Sequence, residues 1–267
     1  MTPALARRLD GRPLLALLDV DGTLSPIASR PAEAVVPDAT RRVLKDLIAL
    51  PDSHVAIISG RAAEDARRIV GVDGVWVIGN HGIEVAPPNR TPSVPESVAP
   101  FGERVGKASE QISAFARNLP GVIVENKRWT ASVHYRVAAP SIVPELTVRV
   151  AEIAEAQGLK VTHAKKTLEV RPPITINKGT AAIELARSLD ALGEGASLLV
   201  AGDDRTDEDM FRAVRPSQPA AVTVWVAHEI PEFETAAEFT VSSTDALRQL
   251  LESIVRRRRG GSMASAV

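Results

Sequence analysis

The most constraining stretch of this sequence is an apolar run that leads directly into two closely spaced acidic residues. Residues 14–18 read Leu-Leu-Ala-Leu-Leu, and Asp19 and Asp21 follow, with Gly22 after them. A short continuous apolar run predicts a strand buried on both faces, which is typical of parallel sheets covered by helices. Ligands bind beyond the carboxyl ends of such strands. Asp19 and Asp21 are therefore expected at a binding edge, although Asp-Gly alone is also a common turn pair.

Further apolar runs recur along the chain, and each one leads into polar residues. Segments with helical periodicity separate these runs, and this alternation predicts an α/β domain with a parallel sheet. The carboxyl ends of parallel strands share one edge, so the polar groups that follow the runs should converge there. These groups are Asp19 with Asp21, Ser59, Asn80 with His81, and Asp203 with Asp204.

The alternation is interrupted between residues 88 and 172. Five prolines lie between residues 86 and 100, and the segment 130–136 then alternates strictly between apolar and polar side chains. Alternating strands with two helices predict a small α+β domain inserted into the parallel one. We therefore expect a core domain in two parts, residues 1–87 and 173–267, and an inserted domain at residues 88–172.

The two ends of the chain carry weaker signals. Residues 1–12 are expected to form a loose arm, and the basic residues from about 256 onward are expected to form a disordered tail. The four arginines at 256–259 also suit the C-terminus of a helix, where cations complement the helix dipole.

Composition excludes several classes of protein. The 267 residues carry a net charge of −1 and no cysteine, so neither a disulfide framework nor a thiolate metal site is possible. The near-zero charge gives no reason to expect a nucleic acid or an anionic membrane as partner. No segment approaches the ~20 apolar residues of a membrane span. A cytoplasmic monomer that acts on a small molecule is the expectation.

Converging carboxylates restrict the chemistry of the site. At ~4 Å and an effective dielectric constant of ~20, each carboxylate pair repels by about 4 kcal/mol. A bound hard cation removes this repulsion, and Mg²⁺ prefers carboxylate, carbonyl and water oxygens. Lys178 lies at the start of a predicted helix and adds a compact positive charge. A divalent cation, a lysine, a serine hydroxyl and backbone N–H groups together suit a phosphoryl group.

These residues form an ordered set of motifs with a known counterpart. The set resembles the four motifs of the haloacid dehalogenase (HAD) phosphatase superfamily, and the motifs are Asp19-Val20-Asp21-Gly22-Thr23, Ser59-Gly60-Arg61, Lys178 and Gly202-Asp203-Asp204-Arg205-Thr206-Asp207. Four further segments resemble the trehalose-6-phosphate phosphatases, and these are Gly79-Asn80-His81-Gly82, His134-Tyr135-Arg136, Leu168-Glu169-Val170-Arg171-Pro172 and Asn177-Lys178-Gly179. The resemblance implies a Rossmann-like core with an inserted cap of the second (C2) type, placed after the third strand.

The resemblance also implies roles for individual residues. Asp19 would be the nucleophile that forms an aspartyl phosphate, and Asp21 would act as general acid and then as general base. Ser59 would donate to a phosphoryl oxygen, and Lys178 would neutralise charge. The implied Mg²⁺ site comprises Asp19, Asp21 through its backbone carbonyl, Asp203, Asp204 and Asp207. Asp207 also suits a helix N-terminus, with Thr206 as the cap.

The substrate implied by the resemblance is trehalose 6-phosphate. The residues expected to bind it are Gly60, Arg61, Asn80, His81, Glu125, Lys127, His134, Arg136 and Glu169. Two simpler interpretations stay open, because the polar face of the inserted domain can be a solvated sheet face and His81 can be a turn residue. His54, His163 and His228 are expected to be structural, since no metal-ligand spacing links them.

Two alternative functions remain. One is a phosphatase for another sugar phosphate, of the sucrose or mannosyl-glycerate type, because only residues of the inserted domain distinguish these substrates. The other is a non-catalytic domain in which Asp19 accepts a phosphoryl group, as in a receiver. Receivers have neither an inserted cap nor a second aspartate placed to speed hydrolysis, and a long-lived phosphoprotein would favour that alternative.

Overall fold

The computed structural model describes residues 2–164, 166–228 and 233–264. Its first part contains helices α1 (Pro3–Arg8), α2 (Asp38–Ile48) and α3 (Ala63–Val70), with strands β1 (Leu14–Leu18), β2 (Ser53–Ile58), β3 (Trp76–Gly79) and β4 (Glu84–Ala86). The middle contains α4 (Phe101–Ala116), β5 (Ile123–Asn126), β6 (Ala131–His134), α5 (Val143–Ala156), β7 (Lys160–Ala164) and β8 (Thr167–Arg171). The last part contains α6 (Lys178–Ser188), β9 (Ser197–Gly202), α7 (Glu208–Ser217), β10 (Val222–Val226), β11 (Phe239–Val241) and α8 (Thr244–Ala264).

The chain divides into two compact units. One, the core unit, comprises the residues up to Ser93 and those from Ile176 onward, and the other, the inserted unit, comprises Val94–Thr175. The sequence placed the insertion at 88–172. The insertion starts later than expected because Val85 pairs with Ser93 in an isolated bridge, which keeps the first proline-rich residues with the core unit.

The core unit is built on a mixed sheet. Among the described residues, seven strands pair in the order β11-β10-β9-β1-β2-β3-β4, and all neighbours are parallel except β3 and β4. Strand β1 is central, and all five of its residues are buried. Successive side chains of a strand alternate between faces, so Leu14 and Leu18 pack with α2, α3 and α8, while Leu15 and Leu17 pack with α6 and α7. The predicted α/β core with a parallel sheet is therefore confirmed.

The inserted unit has an antiparallel sheet backed by helices. In its described part, four strands pair in the order β5-β6-β8-β7. Ala131 and Val133 of β6 pack with α4 and α5 in a separate apolar core, which leaves Ser132 and His134 on the opposite face. The predicted α+β insertion is confirmed, but strand β6 ends at His134. Arg136, which was expected to continue the alternation, lies in an exposed turn instead.

The C-terminal segment corrects one expectation. Helix α8 continues to its last described residue, so the prediction of a disordered basic tail is wrong for residues 256–264; the last three residues of the chain lie outside the described part. Arg257 donates to both carboxylate oxygens of Asp10 at 2.6 Å, and Arg258 donates to the Leu9 carbonyl at 2.6 Å. These distant partners explain why a polar segment stays helical.

The N-terminal arm is also more ordered than expected. Residues 3–8 form α1, whose N-terminus is capped by the Thr2 hydroxyl. Within the described residues, no helix combines the length and the hydropathy that a bilayer crossing requires.

Candidate active site

The polar residues predicted at the strand ends do lie along one edge of the sheet. Leu18 of β1 is level with Ile57 of β2 and with Ala201 of β9. The next residue, Asp19, donates its backbone N–H to the Ala201 carbonyl at 3.1 Å, and Ser59 donates its N–H to the Ile78 carbonyl at 2.9 Å. Parallel pairing therefore continues one residue past β1 and β2, which fixes the positions from which both side chains project.

Three carboxylates converge at this edge. Ligand oxygens of Asp19, Asp203 and Asp207 all lie within 4.8 Å of one another, and Asp19 and Asp207 are buried. Lys178 places its Nζ 2.8 Å from Asp19 Oδ1 and 2.7 Å from Asp207 Oδ1. The lysine is the first residue of α6, whose start is fixed by a capping box between Asn177 and Thr180.

Burial and mutual repulsion perturb these groups. Burial, with contributions from Asp204 and Asp21, raises the pKa of Asp19 to about 6 against the opposing effect of Lys178. Burial, followed by neighbouring carboxylates, also raises the pKa of Asp203 and of Asp207 well above the usual value. Burial would lower the pKa of Lys178, but the surrounding aspartates outweigh it and raise the pKa well above the usual value. The cluster carries more negative than positive groups and so favours a further cation.

The donor set fits a magnesium ion. Carboxylate oxygens held close together in a buried site are the hard ligands that Mg²⁺ prefers. Asp19 and Asp203 would hold the ion. Asp207 lies beside them, and its Oδ2 accepts the backbone N–H groups of Asp203 at 2.8 Å and Asp204 at 3.1 Å. Asp207 therefore also shapes the loop that presents Asp203.

The side chains of two other residues expected at the metal, Asp204 and Asp21, have partners within the protein, although the metal contact expected of Asp21 is through its backbone carbonyl. Asp204 Oδ1 accepts from the backbone N–H and the hydroxyl of Thr206 at 2.8 and 2.7 Å, within a tight turn. Thr206 was expected to cap the following helix, but α7 begins at Glu208 and the N-cap position is Asp207. The cap prediction is wrong because the Thr206 hydroxyl donates to Asp204 instead. The side chain of Asp21 is held in an ion pair with Arg61.

The Asp21–Arg61 pair is bidentate. Arg61 Nε lies 2.6 Å from Asp21 Oδ2, and its Nη2 lies 2.7 Å from Oδ1. The arginine side chain is 9% exposed and the aspartate side chain 41% exposed. A buried guanidinium thus orients a carboxylate that stays accessible.

Ser59 and Gly60 lie in the loop that follows β2. Ser59 is buried, and its Oγ accepts the backbone N–H of Arg61 at 3.2 Å. Gly60 packs against His81 so closely that a Cβ atom would lie 2.6 Å from the ring. Any larger residue would displace the imidazole, so the motif requires glycine here.

Asn80 and His81 both have left-handed backbone conformations, with φ of 49° and 57°. The Asn80 amide donates to Glu84 Oε2 at 2.9 Å, and the same oxygen accepts the Ala63 N–H at the start of α3 at 2.7 Å. Glu84 therefore joins the loops after β2 and β3. Sequence reasoning missed it, although it lies only two residues beyond the Gly79–Gly82 motif.

The loop that follows β1 contacts a residue that the sequence did not place near it. Gly22 has a φ of 87° and lies against the Asp203 carboxylate, with no room for a side chain. His228, which follows β10, has its Nε2 within hydrogen-bonding distance of the Gly22 carbonyl. His228 was expected to be structural, and its contact with this loop could not be inferred from a lone histidine.

The inserted unit has its own polar cluster. Lys127 Nζ lies 3.2 Å from Glu169 Oε2, and the Ser132 hydroxyl donates to Glu169 Oε1 at 2.6 Å. His134 Nε2 lies 3.0 Å from Glu125 Oε2. The alternation of the sequence placed Ser132 and His134 on one polar face, but Ser132 was not among the residues expected to bind the substrate. Arg136 lies in the exposed turn beyond β6.

Comparison with known proteins identifies the family. The trehalose-phosphatase profile (Trehalose_PPase) matches residues 17–245. A trehalose-phosphate phosphatase of Mycobacterium leprae is 34% identical over 96% of this chain, which spans 61% of that relative. An uncharacterized glycosyl hydrolase of Mycobacterium tuberculosis is 35% identical over 94% of this chain, which spans 19% of it. The chain therefore corresponds to only part of these relatives.

A solved structure agrees with this assignment. The structure, described as a trehalose-6-phosphate phosphatase related protein, superposes with a TM-score of 0.78 at 26% identity, covering 91% of this chain and 97% of the other. The match extends over both the core unit and the inserted unit. The chain belongs to the trehalose-phosphatase family.

Proposed function

We propose that this chain hydrolyses trehalose 6-phosphate to trehalose and phosphate, the last step in the biosynthesis of trehalose. The observation that carries the proposal is the buried Asp19 at the end of β1, paired with Lys178 and adjacent to Asp203 and Asp207. Such an arrangement suits transfer of a phosphoryl group to a carboxylate, because a lysine beside the nucleophile offsets the charge of the incoming phosphate.

The reaction takes two steps at phosphorus. An Asp19 oxygen attacks phosphorus while the bond from phosphorus to the sugar oxygen breaks, and Asp21 gives that oxygen a proton. Water then attacks the aspartyl phosphate, Asp21 takes a proton from the water, and phosphate leaves. Mg²⁺ bound by Asp19 and Asp203 would supply positive charge to the phosphoryl oxygens. Ser59 would donate to one of those oxygens.

We further propose that the polar cluster of the inserted unit binds the sugar. Lys127 and Glu169 are buried and linked, and Glu125 is linked to His134. Paired carboxylate, amine and imidazole groups can donate to and accept from the hydroxyls of a neutral disaccharide. Gly60, Asn80 and His81 remain candidates for contacts near the phosphate, and Arg136 remains a weaker candidate for the sugar. The cytoplasmic location and the monomeric state stay predictions.

A substrate panel tests the proposal. Phosphate release from trehalose 6-phosphate should exceed that from sucrose 6-phosphate and glucose 6-phosphate by at least tenfold in kcat/KM. Asp19→Asn keeps the shape of the nucleophile but removes its reactivity, so turnover should fall by several orders of magnitude. Equal turnover across the panel would contradict the substrate. Residual activity above ~10% in the Asn variant, with deamidation excluded by mass spectrometry, would contradict the nucleophile.

A further inference from the structure

The guanidinium of Arg61 is almost fully engaged by protein groups. Its Nε and Nη2 hold Asp21, its Nη2 also donates to the Pro31 carbonyl at 2.9 Å, and its Nη1 donates to Asp65 Oδ2 at 2.7 Å. A guanidinium has five N–H donors, and four are accounted for by these bonds. The sequence suggested Arg61 as a substrate ligand, but this arrangement favours a role in holding Asp21.

Asp65 anchors the guanidinium on the side away from Asp21. It lies in the first turn of α3, where a negative charge is favourable. Its second oxygen accepts from Arg68 Nη2 at 2.5 Å. Burial would raise the pKa of the Asp65 carboxyl, but hydrogen bonds from Arg61 and Arg68 outweigh burial and lower it. Asp65 is thus an ionised and fixed partner for Arg61.

We propose that Asp65 is a positioning residue that acts through Arg61 to hold the Asp21 carboxylate in place for proton transfer. The inference rests on the proposed function, in which Asp21 exchanges a proton with the leaving oxygen and with water. The Asp21 side chain is 41% exposed, so packing alone does not fix it. A bidentate guanidinium fixes the plane of a carboxylate, and Asp65 together with the Pro31 carbonyl fixes the plane of the guanidinium.

Pre-steady-state kinetics with p-nitrophenyl phosphate separates positioning from binding. Its leaving group needs no proton, so transfer to Asp19 should survive in Asp65→Asn. Attack of water on the aspartyl phosphate still requires Asp21 to take a proton. The variant should therefore release a burst of p-nitrophenol and then turn over about tenfold more slowly than the wild type. Inhibition by inorganic phosphate should stay within about threefold.

Two further variants serve as control and confirmation. Arg68→Gln removes the other partner of Asp65 but leaves Arg61 in place, so its burst and steady-state rates should match the wild type. Arg61→Lys keeps the charge but loses the bidentate grip, so it should reproduce the burst of Asp65→Asn. If Asp65→Asn fails to fold, Arg61→Lys alone decides the outcome.

Three results would overturn the inference. The first is an Asp65→Asn enzyme whose steady-state turnover equals that of the wild type. The second is an Asp65→Asn enzyme in which the burst and the steady-state turnover are slowed equally. The third is an Asp65→Asn enzyme in which inhibition by inorganic phosphate is weakened by more than tenfold. The last result would indicate that Asp65 supports binding of the phosphate. Failure of the proposed function is distinguishable, because it would remove preference for trehalose 6-phosphate while leaving the burst experiment intact.

Discussion

The aspartate cluster leads to a prediction about the metal-free protein: Asp203→Asn should make it more stable at neutral pH. Ligand oxygens of Asp203 lie within 4.8 Å of those of both Asp19 and Asp207. Among the hydrogen bonds described for its side chain is a long one, from the Thr23 hydroxyl at 3.4 Å. An isosteric amide at this position would remove one negative charge from the cluster and would weaken side-chain hydrogen bonding only slightly.

The magnitude follows from the distance between the carboxylates. Two carboxylates 4.8 Å apart repel by ~3.5 kcal/mol at an effective dielectric constant of ~20, and the folded protein limits this penalty by binding protons. Burial, followed by the charges of Asp19, Asp204 and Asp207, raises the pKa of Asp203 well above the ordinary value of 3.8. Stability that is present below the ordinary value is therefore lost as the pH rises toward the folded pKa. Asp203→Asn removes the group that titrates, so at neutral pH it should recover ~2–3 kcal/mol of this repulsion.

Urea denaturation in the presence of a chelator tests this reasoning. At pH 7.5 the Asp203→Asn protein should have a free energy of unfolding ~2–3 kcal/mol above that of the wild type, and the gap should narrow at pH 5. Added Mg²⁺ should stabilise the wild type and not the variant, since the ion needs the carboxylate. A variant that is less stable than the wild type at pH 7.5 without metal would refute the argument, as would a gap independent of pH.

Three further predictions concern other parts of the protein. Lys178→Met should lower the free energy of unfolding by ~3–5 kcal/mol at pH 7.5 and abolish turnover, because two buried carboxylates lose their partner; an unchanged urea midpoint would contradict this. Glu169→Ala should reduce kcat/KM for trehalose 6-phosphate by ten- to a hundredfold and leave p-nitrophenyl phosphate nearly unaffected, and equal losses on both substrates would indicate a merely solvated face. Glu84→Ala should lower turnover of both substrates and destabilise the fold by ~1–3 kcal/mol, since the Ala63 N–H and the Asn80 amide lose a buried acceptor, whereas a wild-type urea midpoint would show that water replaces it.

The sequence was most informative where a strand runs directly into a polar residue. Parallel strands place their carboxyl ends on one edge, so the apolar runs before Asp19, Ser59, Asn80 and Asp203 predicted which residues would lie along it. Lys178 was predictable as well, because Asn177 provides a recognisable helix cap.

Residues whose roles depend on distant partners escaped prediction. Asp65 looks like an ordinary acidic residue in the first turn of a helix, and only the structure shows that it holds Arg61. His228 is a lone histidine until β10 brings it to the Gly22 carbonyl. Strand β4 was not predicted because three residues are too few to show a periodic pattern. Helix α8 extends beyond its last apolar residues because its arginines donate hydrogen bonds to acceptors far away in the sequence.

The central position of β1 affects the order in which parts of the chain can fold during synthesis. Its neighbours are β2, which follows soon after, and β9, which begins at Ser197, ~180 residues later. During synthesis the inserted unit, Val94–Thr175, is complete before β9 leaves the ribosome, so we expect it to fold first. The most apolar strand of the core must meanwhile wait with one edge unpaired, which makes the nascent N-terminal half a natural client for chaperones.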